Sequence, residues 1–161
     1  MSIKKLFKLD NSKISKLISA SEEINSTDNI IVSEDKVIWV DLYKLKSNPD
    51  DVVTFSLLFY NVGVIATSGV YLEKKTLGNL DKVGGSIIDH PIDTNSNLMS
   101  KTLDIYSAIT STDLTKPFPV DFKASLIING GKGTITYPII DKIKFNSIGD
   151  TIEVNYSIFM Y

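Results

Sequence analysis

Apolar side chains recur at every second position over most of the chain after residue 28. In the stretch 120–128, for example, Val120, Phe122 and Leu126 alternate with Asp121 and Lys123. Successive side chains of a β-strand point to opposite faces of its sheet, so this pattern gives one apolar face and one polar face. The period therefore predicts strands rather than helices.

Eight segments have this period or a short apolar run, and Gly, Asn, Asp or Pro residues separate them: 37–45, 53–59, 64–72, 83–89, 102–109, 120–128, 134–137 and 151–160. Segment 37–45 is apolar on both faces, which predicts a strand inside a sheet. Together they predict an all-β fold, either an antiparallel β-sandwich of jelly-roll-like form or a barrel, with a short N-terminal helical arm. The predicted core includes Trp39, Phe55, Leu57, Phe122, Leu126, Val154 and Tyr156.

The first 28 residues differ from the rest in both period and charge. Apolar residues between 12 and 23 have helical spacing. Residues 1–20 hold five lysines and one aspartate, so this segment has a formal charge of about +4, whereas the whole chain has a net charge of −2. We therefore divide the chain into a basic, amphipathic arm, 1–28, and a β-sandwich domain, 29–161. The arm either packs on its own domain or docks on a neighbouring subunit. Its candidate assembly residues are Lys4, Lys5, Leu6, Phe7, Lys8, Leu9, Ile14, Leu17 and Ile18.

The side chains that most often carry catalysis are scarce. The chain has no cysteine and one histidine, His90, and all 17 basic residues are lysines. Cysteine, histidine and arginine supply a soft nucleophile, a proton that titrates near neutrality and a bidentate grip on anions. The composition predicts a protein that is not an enzyme and has no cofactor. The net charge of −2 argues against nucleic acid as a partner.

An uncharged stretch, 52–72, is long enough to cross a bilayer. It contains Thr54, Asn61, Gly63 and many β-branched residues, which are typical of strands and turns. We therefore expect two buried strands joined near Asn61 and Gly63, and no membrane partner.

Two polar stretches partly match ligand-binding loops. Residues 129–134 contain Gly-Lys-Gly-Thr, but Leu126 and Gly133 occupy the positions where a phosphate loop needs Gly and Ser or Thr, so we expect a hairpin turn. Residues 93–97 place oxygen ligands at alternate positions, and Asp104 stands where a calcium loop has its closing carboxylate. Leu98 replaces the glycine of such a loop, so a polar connecting loop is the better interpretation.

The titratable candidates are also weak. Adjacent strand residues point to opposite faces, so Asp89 is poorly placed to orient His90, which we expect in a loop before Pro91. The pairs Glu34-Asp35 and Asp50-Asp51 fall at predicted turns, where acids are usually solvated. An acid–base pair for glycoside cleavage would need partners that meet only in the fold. The sequence thus predicts no catalytic and no metal residue.

Five aromatic residues suggest a second class of function. Trp39, Tyr43, Tyr60, Tyr71 and Tyr106 stand in or beside predicted strands. Aromatic rings exposed on one face of a sandwich can stack on sugars, although rings at this period are more often core or interface. A carbohydrate-binding or adhesin-type module is therefore the alternative function, with carbohydrate as a possible partner.

In general layout the chain resembles a bacteriophage virion component: a small all-β domain without cysteine, with a polar, basic N-terminal arm and a strand close to Tyr161. The resemblance covers the whole chain and depends on no diagnostic motif. It implies a non-enzymatic structural subunit of a tail, neck, baseplate or capsid accessory layer. It also implies self-association, contacts with other virion proteins, and a location in the virion, after assembly in the host cytoplasm.

Overall fold

The computed structural model describes residues 29–77, 82–83, 85–112 and 117–161. The predicted arm, 1–28, and the boundary that separates it from the sandwich domain lie outside these ranges. The same holds for the nine candidate assembly residues of the arm: Lys4, Lys5, Leu6, Phe7, Lys8, Leu9, Ile14, Leu17 and Ile18.

Two main sheets form the described part of the protein. The large sheet has the order β1-β2-β13-β8-β4-β5, with β6 also paired to β4, and the small sheet has the order β11-β10-β3-β7. A separate ribbon pairs β9 with β12. The strands are β1 (Ile30–Val32), β2 (Lys36–Tyr43), β3 (Val52–Phe59), β4 (Val64–Leu72), β5 (Lys75–Thr76), β6 (Lys82–Val83), β7 (Ile87–Thr94), β8 (Thr102–Ser111), β9 (Val120–Asp121), β10 (Ala124–Asn129), β11 (Ile135–Ile139), β12 (Lys144–Phe145) and β13 (Thr151–Met160). One short helix, α1 (Asn95–Leu98), follows β7.

The all-β sandwich-like fold is confirmed, and the described strands close no barrel. The seven predicted core residues are all buried: Trp39, Phe55, Leu57, Phe122, Leu126, Val154 and Tyr156. Six of them come from alternate positions of strands in both sheets, because each strand turns one of its two rows of side chains toward the core, and Phe122 lies between β9 and β10. One strand pair differs from the predicted antiparallel arrangement, because β13 is parallel to β2. The register begins with Glu153 opposite Lys36 and ends with Met160 opposite Tyr43.

The uncharged stretch 52–72 forms two strands, as predicted. They do not pair with each other, because β3 belongs to the small sheet and β4 to the large one. The connection 60–63 therefore crosses from one layer to the other. Within the described ranges, no helix combines the length and the apolar character that a membrane crossing requires.

The prediction of a strand at 83–89 with His90 in a following loop is wrong. Lys82 and Val83 form β6, and β7 begins at Ile87 and runs through His90 and Pro91 to Thr94. Pro91 is tolerated because β7 is the edge strand of the small sheet, where a missing N–H need not break a ladder. The register of β7 against β3 shifts twice around this point, and Asp89 has a φ of 46°.

Segment 120–128 was predicted as one strand and is two. The backbone N–H of Phe122 donates to Ile143 O, and that of Lys123 donates to Asn61 Oδ1. These two bonds interrupt the strand at residues 122 and 123, so that β9 pairs with β12 while β10 belongs to the small sheet. The bend keeps Phe122 in the core, where its ring meets the edge of Phe145 at 5.7 Å between centroids.

The hairpin turn predicted from Asn129 to Gly133 joins β10 to β11. Gly130 has a φ of 96°, and a Cβ on it would collide with the carbonyl oxygen of Val52. Tyr43 of the large sheet anchors this turn: its hydroxyl donates to Gly133 O at 2.7 Å and accepts from Gly131 N–H at 2.8 Å. The turn therefore joins the two layers.

We expect Leu126→Ala to lower the free energy of unfolding by about 2–5 kcal/mol, because it empties a fully buried site between β3 and β11. Urea denaturation followed by circular dichroism measures the change. Ile88→Ala is the control: that side chain is 70% exposed, and its loss should cost less than about 0.5 kcal/mol. Similar costs for both variants would contradict the core assignment.

Candidate functional site

Two surfaces of the sandwich have features that are unusual for a β-sandwich in water, and strand β2 contributes to both. The first is the outer face, by which we mean the side of the large sheet that points away from the core. The pairing of β2 with β13 and of β13 with β8 places these residues on it: Lys36, Ile38, Val40, Leu42, Thr102, Asp104, Tyr106, Ala108, Glu153, Asn155, Ser157 and Phe159.

The outer face contains an apolar row. Ile38, Val40 and Leu42 occupy three successive outward positions of β2, and Phe159 lies beside Leu42 on β13; all four are half-buried. An outward sheet face in water normally carries polar side chains, because only the inward face is buried by folding. The row therefore explains why segment 37–45 is apolar on both faces, and it gives the outer face the character of a contact surface.

Next to the apolar row, polar groups of the outer face are shielded from water. Asn155 and Ser157 are 7% and 6% exposed although they point outward. The Ser157 hydroxyl donates to Asp104 Oδ1 at 2.7 Å. Burial raises the pKa of Asp104 above its ordinary value of 3.8, an effect that the Ser157 bond opposes and the nearby charge of Glu73 reinforces.

The second surface is the edge cleft, which opens between the edge strands of the two sheets. It lies where β1 and β2 of the large sheet approach β11 of the small sheet, and it has a volume of about 190 Å³. Its wall is partly apolar and partly polar. The lining residues that matter most are Ile30, Trp39, Asp41, Ile135, Tyr137 and Lys142.

Two buried donors of the edge cleft have no acceptor among the described residues: the indole Nε1 of Trp39 and the hydroxyl of Tyr137. Trp39 is 6% exposed and Tyr137 is 1% exposed. Their rings meet edge to face at 5.7 Å between centroids. A buried polar group without a partner costs about 1–3 kcal/mol, so the fold carries an uncompensated penalty at this place.

Asp41 is the charged member of the edge cleft. Its Oδ1 accepts from Asn29 Nδ2 at 3.0 Å and from Leu42 N–H at 2.8 Å. Burial raises the pKa of Asp41, and the Leu42 bond opposes that effect. The pKa of the Tyr137 hydroxyl is also raised, first by burial and then by the negative charge of Asp41. A donor, a shielded carboxylate and a second donor thus share one small cleft.

His90 and the predicted calcium stretch have structural positions. The ring of His90 meets that of Phe55 at 5.6 Å between centroids on β7 and β3, while Asp89 Oδ1 accepts from the Ser56 hydroxyl. Asn95 is buried and joins three segments, and its Oδ1 accepts from Lys46 N–H. Residues 93–97 are thus the end of β7 and the start of α1, so the predicted connecting loop is wrong. Asp104 belongs to the other sheet.

The paired acids lie at turns, as predicted. Glu34 and Asp35 are exposed between β1 and β2. Asp51 accepts from the ammonium group of Lys46 and from Asn48 Nδ2 before β3 begins. Over the described ranges, no three His, Cys, Asp or Glu side chains group closely enough to hold a metal ion.

The five aromatic residues of the carbohydrate alternative do not share one face. Trp39 and Tyr43 are buried, Tyr60 is 54% exposed, and Tyr71 and Tyr106 meet edge to face at 5.8 Å on the outer face. Sequence reasoning missed Tyr137 and Asp41. A signal for Asp41 existed, because it is an acid in the inward row of Val37, Trp39 and Tyr43.

Comparison with known proteins adds no assignment: no protein-family model, no curated protein and no solved structure matches this chain. The two surfaces therefore have to be interpreted from their own chemistry.

We expect the same substitution to have opposite effects at two buried tyrosines. Tyr137→Phe removes a hydroxyl without a partner and should raise the free energy of unfolding by about 1 kcal/mol, whereas Tyr43→Phe leaves Gly131 N–H without its acceptor and should lower it by about 1–3 kcal/mol. Urea denaturation of both variants measures this. A loss of stability in Tyr137→Phe would show that its hydroxyl has a partner in the folded protein.

A second pair of variants tests the shielding of the outer face. Because the pKa of Asp104 is raised in the folded protein, ionisation of this carboxyl lowers the free energy of unfolding as pH rises above 3.8. Asp104→Asn should therefore be more stable than the parent at neutral pH and equally stable in acid. The pKa of Asp150 is lowered by hydrogen bonds from Ser147 and Asn146. Asp150→Asn should therefore be less stable than the parent at neutral pH, and the difference should vanish as pH falls below 3.8. Denaturation at several pH values measures both, and equal signs would contradict the assignment.

Proposed function

We propose that the protein is a non-enzymatic structural subunit of a virion or a similar symmetric assembly, and that it acts by packing against its neighbours. The observation that carries this proposal is the apolar row of the outer face. Ile38, Val40, Leu42 and Phe159 form a continuous strip on the two adjacent strands β2 and β13. A strip of this kind is stabilised when a partner removes it from water.

The occupant that we propose for the outer face is the arm, 1–28, of a neighbouring copy. Asn29 follows the arm directly in the sequence, and its carbonyl accepts from Val40 N–H of the sheet that carries the strip. The arm supplies apolar residues, among them Leu6 and Phe7, within a basic segment. The rest of the chain is acidic, and the outer face has Asp104 and Glu153 against one lysine, Lys36, which pairs with Glu153 at 2.8 Å.

Apolar burial and charge have separate tasks in this contact. Removing the strip from water supplies most of the affinity, because that energy scales with the apolar area buried. The lysines of the arm and the acids of the body set the register and speed the encounter, and salt screens that part. A symmetric assembly follows when each copy gives its arm and receives another.

Deletion of residues 1–28 should leave a folded sandwich that no longer assembles. Mass measurement by light scattering gives the assembly state, and far-ultraviolet circular dichroism gives the fold. In the full chain, added salt should slow assembly more than it weakens the finished complex. The proposal is wrong if the full chain stays monomeric, if the shortened chain assembles normally, or if the shortened chain unfolds and the arm thus belongs to its own core.

A point variant separates the receiving face from the arm. Leu42→Ser should weaken the contact between full-length chains by about thirtyfold, since it removes one apolar anchor of roughly 2 kcal/mol from the strip. Ile88→Ser is the matched control, because Ile88 is 70% exposed on the small sheet. Equal effects of the two variants would show that the outer face is not the contact.

A further inference from the structure

The edge cleft combines a shape and a chemistry that the packing of subunits does not use. Trp39 Nε1 and the Tyr137 hydroxyl are donors from different sheets, both buried and both without an acceptor among the described residues. Such donors are kept at a cost to the free protein. Neither atom is open to solvent, so a ligand reaches them only when a neighbouring side chain of the cleft moves aside. A ligand that then brings an acceptor to them repays part of that cost on binding, so these groups indicate an occupant with acceptor atoms.

The charges of the edge cleft narrow the class of that occupant. Asp41 and Lys142 both line it. Their opposite charges largely cancel for an occupant that lies near both, so Coulomb energy gives no net preference for an anion or a cation, and hydrogen bonding decides what binds. Both hydrogen bonds of Asp41 end on Oδ1, so Oδ2 can still accept. The occupant should therefore accept and donate hydrogen bonds, and it needs no net charge to bind.

Hydroxyl groups on a compact carbon ring have these properties. A hydroxyl accepts and donates through the same oxygen, so neighbouring hydroxyls can accept from Trp39 and Tyr137 and donate to Asp41. Ile30, Ile135 and Pro138 offer apolar contact to C–H groups. The cleft volume of about 190 Å³ corresponds to roughly six water molecules, which suits one sugar ring rather than a chain of them.

We propose that the edge cleft binds one neutral sugar residue, held by the donors of Trp39 and Tyr137 and by the carboxylate of Asp41. Its lining residues come neither from the outer face nor from the arm, so this proposal does not rest on the assembly function proposed above. It would let an assembled subunit attach to a glycan through its open sandwich edge.

Trp39 is the single tryptophan of the chain, so its fluorescence reports on the edge cleft directly. The full-length protein is titrated separately with glucose, galactose, mannose and N-acetylglucosamine. We expect a saturable change in emission with at least one of these sugars. No saturable change with any of them overturns the proposal. So does a response to sodium acetate or to a blocked alanine tripeptide that exceeds the response to every sugar, since it would mark an anion or peptide site.

Two variants test whether the sugar uses the cleft. Tyr137→Phe keeps the ring and the reporter but removes one donor, and it should weaken sugar binding by about two- to tenfold. Tyr71→Phe makes the same change on the outer face and should leave the affinity unchanged. Unaltered binding in Tyr137→Phe, or equal losses in both variants, overturns the assignment to the cleft. Light scattering of Tyr137→Phe should give the parent assembly state, which separates this result from the assembly function.

Discussion

The pairing of β13 on both of its edges is the constraint on which the rest of the structure depends. This strand bonds to β2 on one side and to β8 on the other, and it joins positions as distant as Lys36 and Glu153, which are 117 residues apart. Beyond it, Tyr161 exchanges backbone hydrogen bonds with Tyr43 and Leu45. Because β13 stands inside the large sheet, the strands on its two sides cannot form one layer until it is in place. Such non-local pairing is slow to form but leaves a fully buried inward row: Ile152, Val154, Tyr156, Ile158 and Met160.

How much the sequence predicts depends on whether a feature is local. The period of two located most strands and the buried residues, because alternation follows from the geometry of one strand. It did not reveal that β2 and β13 are parallel, since pairing partners lie far apart and share no local signal. Nor did it locate the break at Phe122 and Lys123, where Ile143 and Asn61 supply distant hydrogen-bond partners. The strand through His90 was missed because Pro91 signals a turn, and an edge strand tolerates it.

The candidate surfaces were harder to predict than the fold, for the same reason. Two apolar faces on segment 37–45 were visible in the sequence, but they indicated a central strand as much as a contact surface. The edge cleft was not predictable at all. Its two donors come from strands β2 and β11, which belong to different sheets and approach only through the packing of the layers. The inward acid Asp41 was the one local sign, because a charge in a buried row has to be paired or shielded.

Both surfaces depend on one strand, and this links them physically. The inward row of β2 provides Trp39 and Asp41 to the edge cleft, and its outward row provides Val40 and Leu42 to the outer face. The N–H of Leu42 donates to Asp41 Oδ1, and the N–H of Val40 donates to Asn29 O, directly after the arm. A shift of β2 caused by an occupant of the cleft would therefore change the strip that we propose as the contact for the arm. By reciprocity of binding energies, an arm that fixes β2 in one position would change the affinity of the cleft by the same factor.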